Sequence, residues 1–428
     1  MVPHLKTALE GPMADVERKI LDKATTIERW FRMEWQDHTP PFYSSVDLRN
    51  SGFKIAPVDT NLYPGGFNNL SREMQPLAVQ AAQSAIEKYC PEARNLLLIP
   101  ENHTRNLFYL QNVARLSSIL KRTGVNVRLG TLNPEITAPT PFELPDGETI
   151  IVEPLVRQAN RLGLADFDPC AILLNNDLSS GIPEILKGLS GQVLLPPLHA
   201  GWAVRRKSNH FKAYDEVVEK FAAEIGIDPW LVNPYFGVCG QVNFQERSGE
   251  ECLKANVEMI LPRIRAKYQE YGITEEPFVI VKADAGTYGM GIMSVKSPDE
   301  VTGLNRKQRN KMSVVKEGLE VSEVIIQEGV HTIERVGGAT AEPVVYMIDR
   351  FVVGSFYRVN TLRSVTENLN APGAHFESLG FESAGASPEP LGDPAAAHNR
   401  FYTYGVIARL AALAASYELE QTAGALGA

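Results

Sequence analysis

The chain has 428 residues, 44% of them hydrophobic and 22% charged, with a formal net charge of −9, the make-up of an ordinary globular protein with room for two or three domains. The acidic balance excludes the broad basic field that nucleic-acid backbones select and leaves local cationic pockets for small anions. Met1 to Gln36 interleaves apolar residues with Lys6, Glu10 and Asp15, unlike a signal peptide, and the most apolar run, Val406 to Ala415, contains Arg409 and is too short to span a bilayer, so the chain reads as cytoplasmic.

In chain order, Val16, Ile20, Ala24, Ile27, Trp30 and Phe31 recur at helical spacing and predict an amphipathic helix over 14–36. The Pro-, Gly- and Asn-rich stretch from Pro40 to Asn69 reads as an ordered loop region with short strands. Strands are expected at 96–99, 125–129, 149–152, 171–175 and 193–195, with helices at 104–121 and 183–189. Short apolar β-runs alternating with helical patterns predict a largely parallel, doubly wound α/β sheet. Residues 212–271 read as mainly helical, with a break at 228–240. Further strands follow at 324–327, 344–348 and 351–359, the last two joined by a tight turn at Asp349 and Arg350. A Pro-, Gly-, Ala- and Ser-rich loop spans 371–397, before a final helix over 400–420. The expected division is an N-terminal unit over 1–211, with its helix, substrate loop and mostly parallel α/β domain, and a C-terminal α+β unit over 212–428. In the latter, 212–271 is a helical lead-in to the part over 277–428. Cys90, Cys170, Cys239 and Cys252 show no C-x-x-C pair, which argues against a zinc ribbon, a redox dithiol or a disulfide framework and reads as buried small side chains.

The segment PFVIVKADAGTYGMGIMSV sets Lys282 at the end of an apolar strand, then Gly286, Gly289 and Gly291, then a second apolar strand. Glycines let backbone N–H groups close on a phosphate chain while the lysine adds a point charge. The absence of G-x-x-x-x-G-K-[ST] excludes a P-loop, and an apolar strand stands where a Rossmann fingerprint needs a helix. A glycine-rich β-hairpin over ATP remains, against the plainer alternative of a surface hairpin with a solvated lysine.

This Lys-x-x-x-Gly-x-x-Gly-x-Gly pattern between strands resembles the central lysine and small lid loop of ATP-grasp ligases. Further along, VIIQEGV resembles that family's adenine hinge, which implies nucleotide contacts from Gln327, Glu328, Gly329 and Val330, with Glu328 on the ribose or adenine. VVYMIDRFVVGSFYRVN and ENLNAPGA resemble the hairpin, arginine and Asn-rich turn of the glutathione-synthetase and RimK-like branches. By that likeness Arg358 meets the transferring phosphoryl group and Asn368 is the polar residue of the turn; a strand-face ion pair is the alternative for Arg358.

From end to end, SVDLRNSGFKIAPVDTNLYPGGFNN, PENHTRN, LHAGWAVRRKSNHF, KADAGTYGMGI and ENLNAPGAHFE resemble the proteobacterial glutamate-cysteine ligase family of the ATP-grasp type. The resemblance implies an α/β ATP-grasp-like ligase that joins glutamate and cysteine into γ-glutamylcysteine through a glutamyl phosphate. It implies ATP and Mg2+ as cofactors and small molecules as partners, without nucleic acid or membrane, and leaves a homo-oligomer open. The alternatives are another ATP-grasp amino-acid ligase, such as a glutathione synthetase relative, or a non-catalytic nucleotide-binding regulator; protein-kinase signatures are absent. One departure concerns the metal. ATP-grasp enzymes end that site with Glu-x-Asn on a strand after the last long helix, but here the nearest string is ENLN, which makes Glu367 and Asn370 the candidate ligands, with Glu342 as the other source.

Making an amide from a carboxylate requires an activated acid, a cation for the substrate carboxylate and an acid for its ammonium. The segment from Asp47 to Asn69 offers Arg49 for the carboxylate, suited by its bidentate fork, and Asp59 and Asn61 for the ammonium; a loop-holding Arg49–Asp59 pair is the alternative. Glu101, His103 and Arg105 form a second cluster after the strand ending at Ile99, at the carboxyl edge where α/β sheets bind ligands. Arg105 is taken there as a substrate contact, with helix capping as the alternative. A third cluster is Arg205, Arg206, Lys207 and His210, either a solvated basic turn or a contact to the ATP phosphates through Lys207.

Overall fold

The computed structural model describes residues 12–102, 105–286, 291–313, 321–379 and 400–424. In the strand Asn95–Pro100 the run Leu96 to Ile99 is buried throughout. Successive strand side chains point to opposite faces, so Leu96 and Leu98 enter one hydrophobic core while Leu97 and Ile99 enter another. This strand is central to a six-stranded sheet ordered Val193–Leu195, Ala171–Asn175, Asn95–Pro100, Asn126–Thr131, Thr149–Pro154, Thr140–Glu143. All neighbours are parallel except the last pair. Helices Gln75–Tyr89 and Leu107–Lys121 share one of its cores.

A second, antiparallel sheet takes strands from both ends of the chain, in the order Ala374–Ser378, Phe351–Asn360, Ala339–Ile348, Tyr43–Asn50, Ile55–Asn61, with Arg335–Val336 attached to the third. The segment expected as an ordered loop region with short strands supplies strands of 8 and 7 residues. Its polar residues Asp47, Arg49 and Asn50 are tolerated inside the sheet because each has ionic or hydrogen-bonding partners there. Strands from both sides of residue 211 share this sheet, and that residue lies within the helix Lys207–Ile225. Asp349 and Arg350 form the expected two-residue turn, with Asp349 at φ 51°. The third sheet, also antiparallel, runs Phe236–Cys239, Val324–Glu328, Val279–Ala283, Ile292–Val295.

The last helix, Arg400–Thr422, has Tyr404, Val406, Ile407, Ala408 and Leu410 to Ala415 fully buried. A helix apolar all round belongs in a core, and this one packs on Lys207–Ile225 and on the strands Tyr43–Asn50 and Ile55–Asn61. Among the described residues no helix is long and apolar enough to cross a membrane.

Three local expectations change. Residues 14–36 form two helices, Pro12–Asp22 and Ala24–Asp37, separated at Lys23. Residues 183–189 hold only a single tight turn, Glu184–Leu186, because Pro183 before it and Lys187 after it are extended. Cys239 is disulfide-bonded to Cys252, with Cα atoms 6.1 Å apart. A spacing of 13 residues carries no motif, and the pair meets only because the strand Phe236–Cys239 packs on the helix Glu250–Glu270.

Candidate active site

The strand Val279–Ala283 buries Val279, Val281 and Ala283 in the core and turns Ile280 and Lys282 to a cavity. Lys282 is 5% exposed, and its Nζ donates to the Val58 carbonyl at 2.5 Å. Burial lowers its ammonium to about 8, against the pull of Asp59 and with the push of Lys207. Lys207 opens its helix with Nζ on Asp59 Oδ1 at 2.8 Å and over the Trp202 ring at 4.3 Å. That helix start is fixed by Asp284, whose carboxylate accepts from Ser208 N at 2.7 Å and Ser208 Oγ at 2.6 Å. Burial alone would raise Asp59, but the Lys207 and Lys282 charges hold it well below the usual carboxylate range. Two cations, one carboxylate and a glycine, Gly286, at φ 92° thus share one wall, a shape and charge fit for phosphate.

The hinge strand Val324–Glu328 borders the same cavity through Gln327 and Glu328, and Val330 follows them there. Gln327 is 2% exposed, and its Nε2 is buried without a partner. The Glu328 carboxylate accepts from Lys54 Nζ at 2.8 Å, Trp230 Nε1 at 3.1 Å and Tyr235 N at 2.9 Å, with its side chain 1% exposed. The sequence expectation of a ribose or adenine contact is therefore not met by a free carboxylate: its oxygens are held by Lys54, Trp230 and the Tyr235 N–H.

Opposite stands a ladder of charge across the antiparallel sheet. Glu342 and Arg358 are cross-strand partners. Arg358 Nη1 donates to Glu342 Oε1 and Asp47 Oδ2, both at 2.7 Å. Burial would lower the guanidinium, but Asp47 and Glu342 outweigh it, and Arg358 stays firmly charged. Burial raises Asp47, with Arg358 opposing. Arg49 Nε donates to Glu342 Oε2 at 2.9 Å, its Nη1 to the carbonyls of Val330 and Val365 at 3.2 and 3.3 Å, and its Nη2 to the Glu367 carbonyl. Arg49 thus holds Glu342, the hinge and the Asn-rich turn together; it pairs with Glu342 where the sequence suggested Asp59 or a substrate carboxylate.

A second cavity of about 210 Å3 adjoins the first, and Asp47, Asp59 and Asn370 line both. It continues past Arg358 and Asn61 to Tyr63, Glu101, Asn175 and Asp177 at the carboxyl ends of two parallel strands. Tyr109 ties those strand ends together, its hydroxyl accepting from Glu101 N at 2.9 Å and donating to the Asn175 carbonyl at 2.8 Å.

Of the residues expected from sequence, Lys282, Gly286, Gln327, Glu328, Val330 and Lys207 line the first cavity, as do Arg49, Asp59, Asn368 and Asn370. Asn61 and Arg358 line the second. Gly291 sits at φ 61° beside the lysine strand without lining either cavity, and Gly289 lies outside the described residues. Arg105 is exposed and lines neither cavity. The Glu367 carboxylate also lines neither, accepting from Arg363 Nη1 and Ser364 N at 2.9 Å each. Arg205 and His210 are spent on Glu418, at 2.9 and 3.2 Å, inside the core. Sequence reasoning missed Asp47, Lys54, Tyr63 and Asp177; the first three sit in the turn-rich stretch it had marked, but nothing local tells a buried acid or lysine from a solvated one.

The family model for glutamate-cysteine ligases matches residues 17–419. The chain belongs to the glutamate-cysteine ligase family. A crystal structure of a candidate gamma-glutamylcysteine synthetase from Methylobacillus flagellatus KT is 64% identical, with a TM-score of 0.90 over 99% of each chain. More distant are D-alanyl-alanine synthetase A from Vibrio cholerae O1 biovar eltor str. N16961 (10% identity, TM-score 0.32, 74% of this chain and 80% of that one) and the glutathione synthetase-like effector GSS30 from Globodera pallida (11%, 0.40, 86% and 87%). At those values neither distant likeness bears on the argument. No curated protein matches the chain. The ligase is thus an ATP-dependent enzyme that forms a carbon–nitrogen bond between glutamate and cysteine.

Proposed function

We propose that the two joined cavities divide the reaction of the glutamate-cysteine ligase family between them, on an ATP-grasp plan. The observation that carries this reading is the shared wall of Asp47, Asp59 and Asn370, with Arg358 bonded to Asp47, between a cation-rich cavity and an acidic one. ATP fits the first, with its base against the hinge at Gln327 to Val330 and its phosphates against Lys282, Lys207 and Gly286. Glutamate enters the second, its γ-carboxylate at the shared wall. There one γ-carboxylate oxygen attacks the γ-phosphorus, giving glutamyl phosphate and ADP. The cysteine amine, having lost its ammonium proton, then attacks the acyl carbon, the amide bond forms and phosphate leaves. Arg358 would stabilise the charge that grows on the phosphoryl oxygens and on the leaving phosphate.

A divalent cation suits this arrangement. Among the described residues there is no group of three or more His, Cys, Asp and Glu able to cage one. Magnesium, however, is usually held by one or two carboxylates together with substrate phosphates, and Asp47 and Glu342, with the Asn370 amide, would supply such donors from the cavity wall alongside their bonds to Arg358 and Arg49. Glu367 does not share that position. When bound, the cation would neutralise triphosphate charge.

The test is phosphate release from ATP and Mg2+ with amino acids offered in pairs. Release should be greatest with glutamate plus cysteine and match the amount of dipeptide formed. Release that ignores cysteine, or a different preferred pair, contradicts the reading.

A further inference from the structure

The far end of the second cavity is built from groups that the bond-forming steps do not use. Glu101 and Asp177 stand there together, the Asp177 backbone N–H donating to Glu101 Oε1 at 3.0 Å. They are 9% and 3% exposed, and each leaves the carboxyl end of a parallel strand. Arg358 is the one cation among the described lining residues, and it is bonded to Asp47 on the shared wall. A second, independent feature is Tyr63: it is 6% exposed, lines the cavity, and its hydroxyl is buried without a partner among the described residues. Burial, with Tyr43, Asp177 and Glu101 nearby, pushes its phenol well above the usual range, so it keeps its proton and acts as a donor. A buried donor left unpaired costs free energy in the empty protein unless a ligand completes it.

We infer that Glu101 and Asp177 bind the α-ammonium of the amino acid that donates the γ-carboxylate, with the Tyr63 hydroxyl donating to its α-carboxylate. This rests on the division of the cavities proposed above. The direction follows from the chemistry. The acceptor amine must shed its proton and reach the acyl carbon at the shared wall, so the ammonium kept charged at the far end belongs to the donor. Glu101 and Asp177 would then decide that the substrate is an α-amino acid and not a simple dicarboxylate.

Kinetics with glutamate and with glutarate, the same diacid lacking the α-ammonium, test this at saturating ATP and cysteine. In Glu101→Gln and Asp177→Asn the preference for glutamate over glutarate in kcat/KM should fall roughly 10- to 100-fold, the loss of a charge-assisted bond. The KM for glutamate should rise while those for ATP and cysteine hold. Thermal melting checks folding, and Tyr63→Phe, which removes only an oxygen, serves if the carboxamide variants do not fold; it should raise the glutamate KM alone. A preference unchanged in folded variants, or a loss expressed in the KM for cysteine, overturns the anchor while leaving the ligase reading intact. Wild-type enzyme that makes no amide from glutamate overturns both.

Discussion

Lys282 sits on the cation-bearing wall of the first cavity as a buried ammonium lowered to about 8 by desolvation. In the empty enzyme it loses its proton as pH rises through that value, whereas the phosphates of bound ATP favour the charged form. ATP binding should therefore take up protons near pH 8, and affinity should fall by up to about tenfold per pH unit above it. Calorimetry in buffers of different ionisation enthalpy measures the uptake. Lys282→Arg should flatten the dependence, because a guanidinium does not titrate there. Lys54, also lowered to about 8 by burial against the opposing pull of Glu328, sits behind the hinge on that carboxylate, and a slope that survives in Lys282→Arg would move the effect there. Lys282 and Gly286 were legible because their chemistry is local: one strand, one turn. Glu328 and Arg49 were not. The partners that define them, Lys54 and Glu342, lie 274 and 293 residues away, and no local pattern distinguishes an acid facing a ribose from one facing a buried lysine.

At the scale of elements, the hinge is held by a close approach of backbone to ring. Gly329 N donates to the Phe278 carbonyl at 2.8 Å, and a Cβ on Gly329 would lie 2.1 Å from Phe278 Cε2. Phe278 is fully buried and cannot swing into solvent. Gly329→Ala should therefore lower stability by about 1–3 kcal/mol, the usual range for overpacking, and weaken ATP binding by displacing Val330. Phe278→Leu in the same chain should restore part of both. Urea unfolding and ATP calorimetry provide the readout, and an alanine variant as stable and as tight-binding as wild type removes the hinge from the account. Apolar runs gave the strands at 96–99 and 171–175 because both are buried throughout. They gave no bounds for the short strands expected within 40–69, because those at 43–61 carry buried polar side chains, and they failed at 183–189, where a proline-flanked apolar run has too few residues for a helix.

In the whole molecule, the antiparallel sheet joins Tyr43–Asn50 to Ala339–Ile348, and the final helix lies over both. The cavities form where the three sheets meet, so the wall there has Asp47 and Asp59 from one end of the chain and Glu342 and Arg358 from the other. Such long-range pairing leaves no periodic trace, which is why the site had to be read from family resemblance and not from spacing. The central claim is that glutamate is activated at that wall as an acyl phosphate. Glutamate carrying heavy oxygen in its γ-carboxylate, incubated with ATP, Mg2+, cysteine and the enzyme, tests it by mass spectrometry of the released phosphate. The account requires one labelled oxygen in the phosphate for each γ-glutamylcysteine formed; unlabelled phosphate alongside dipeptide would contradict it.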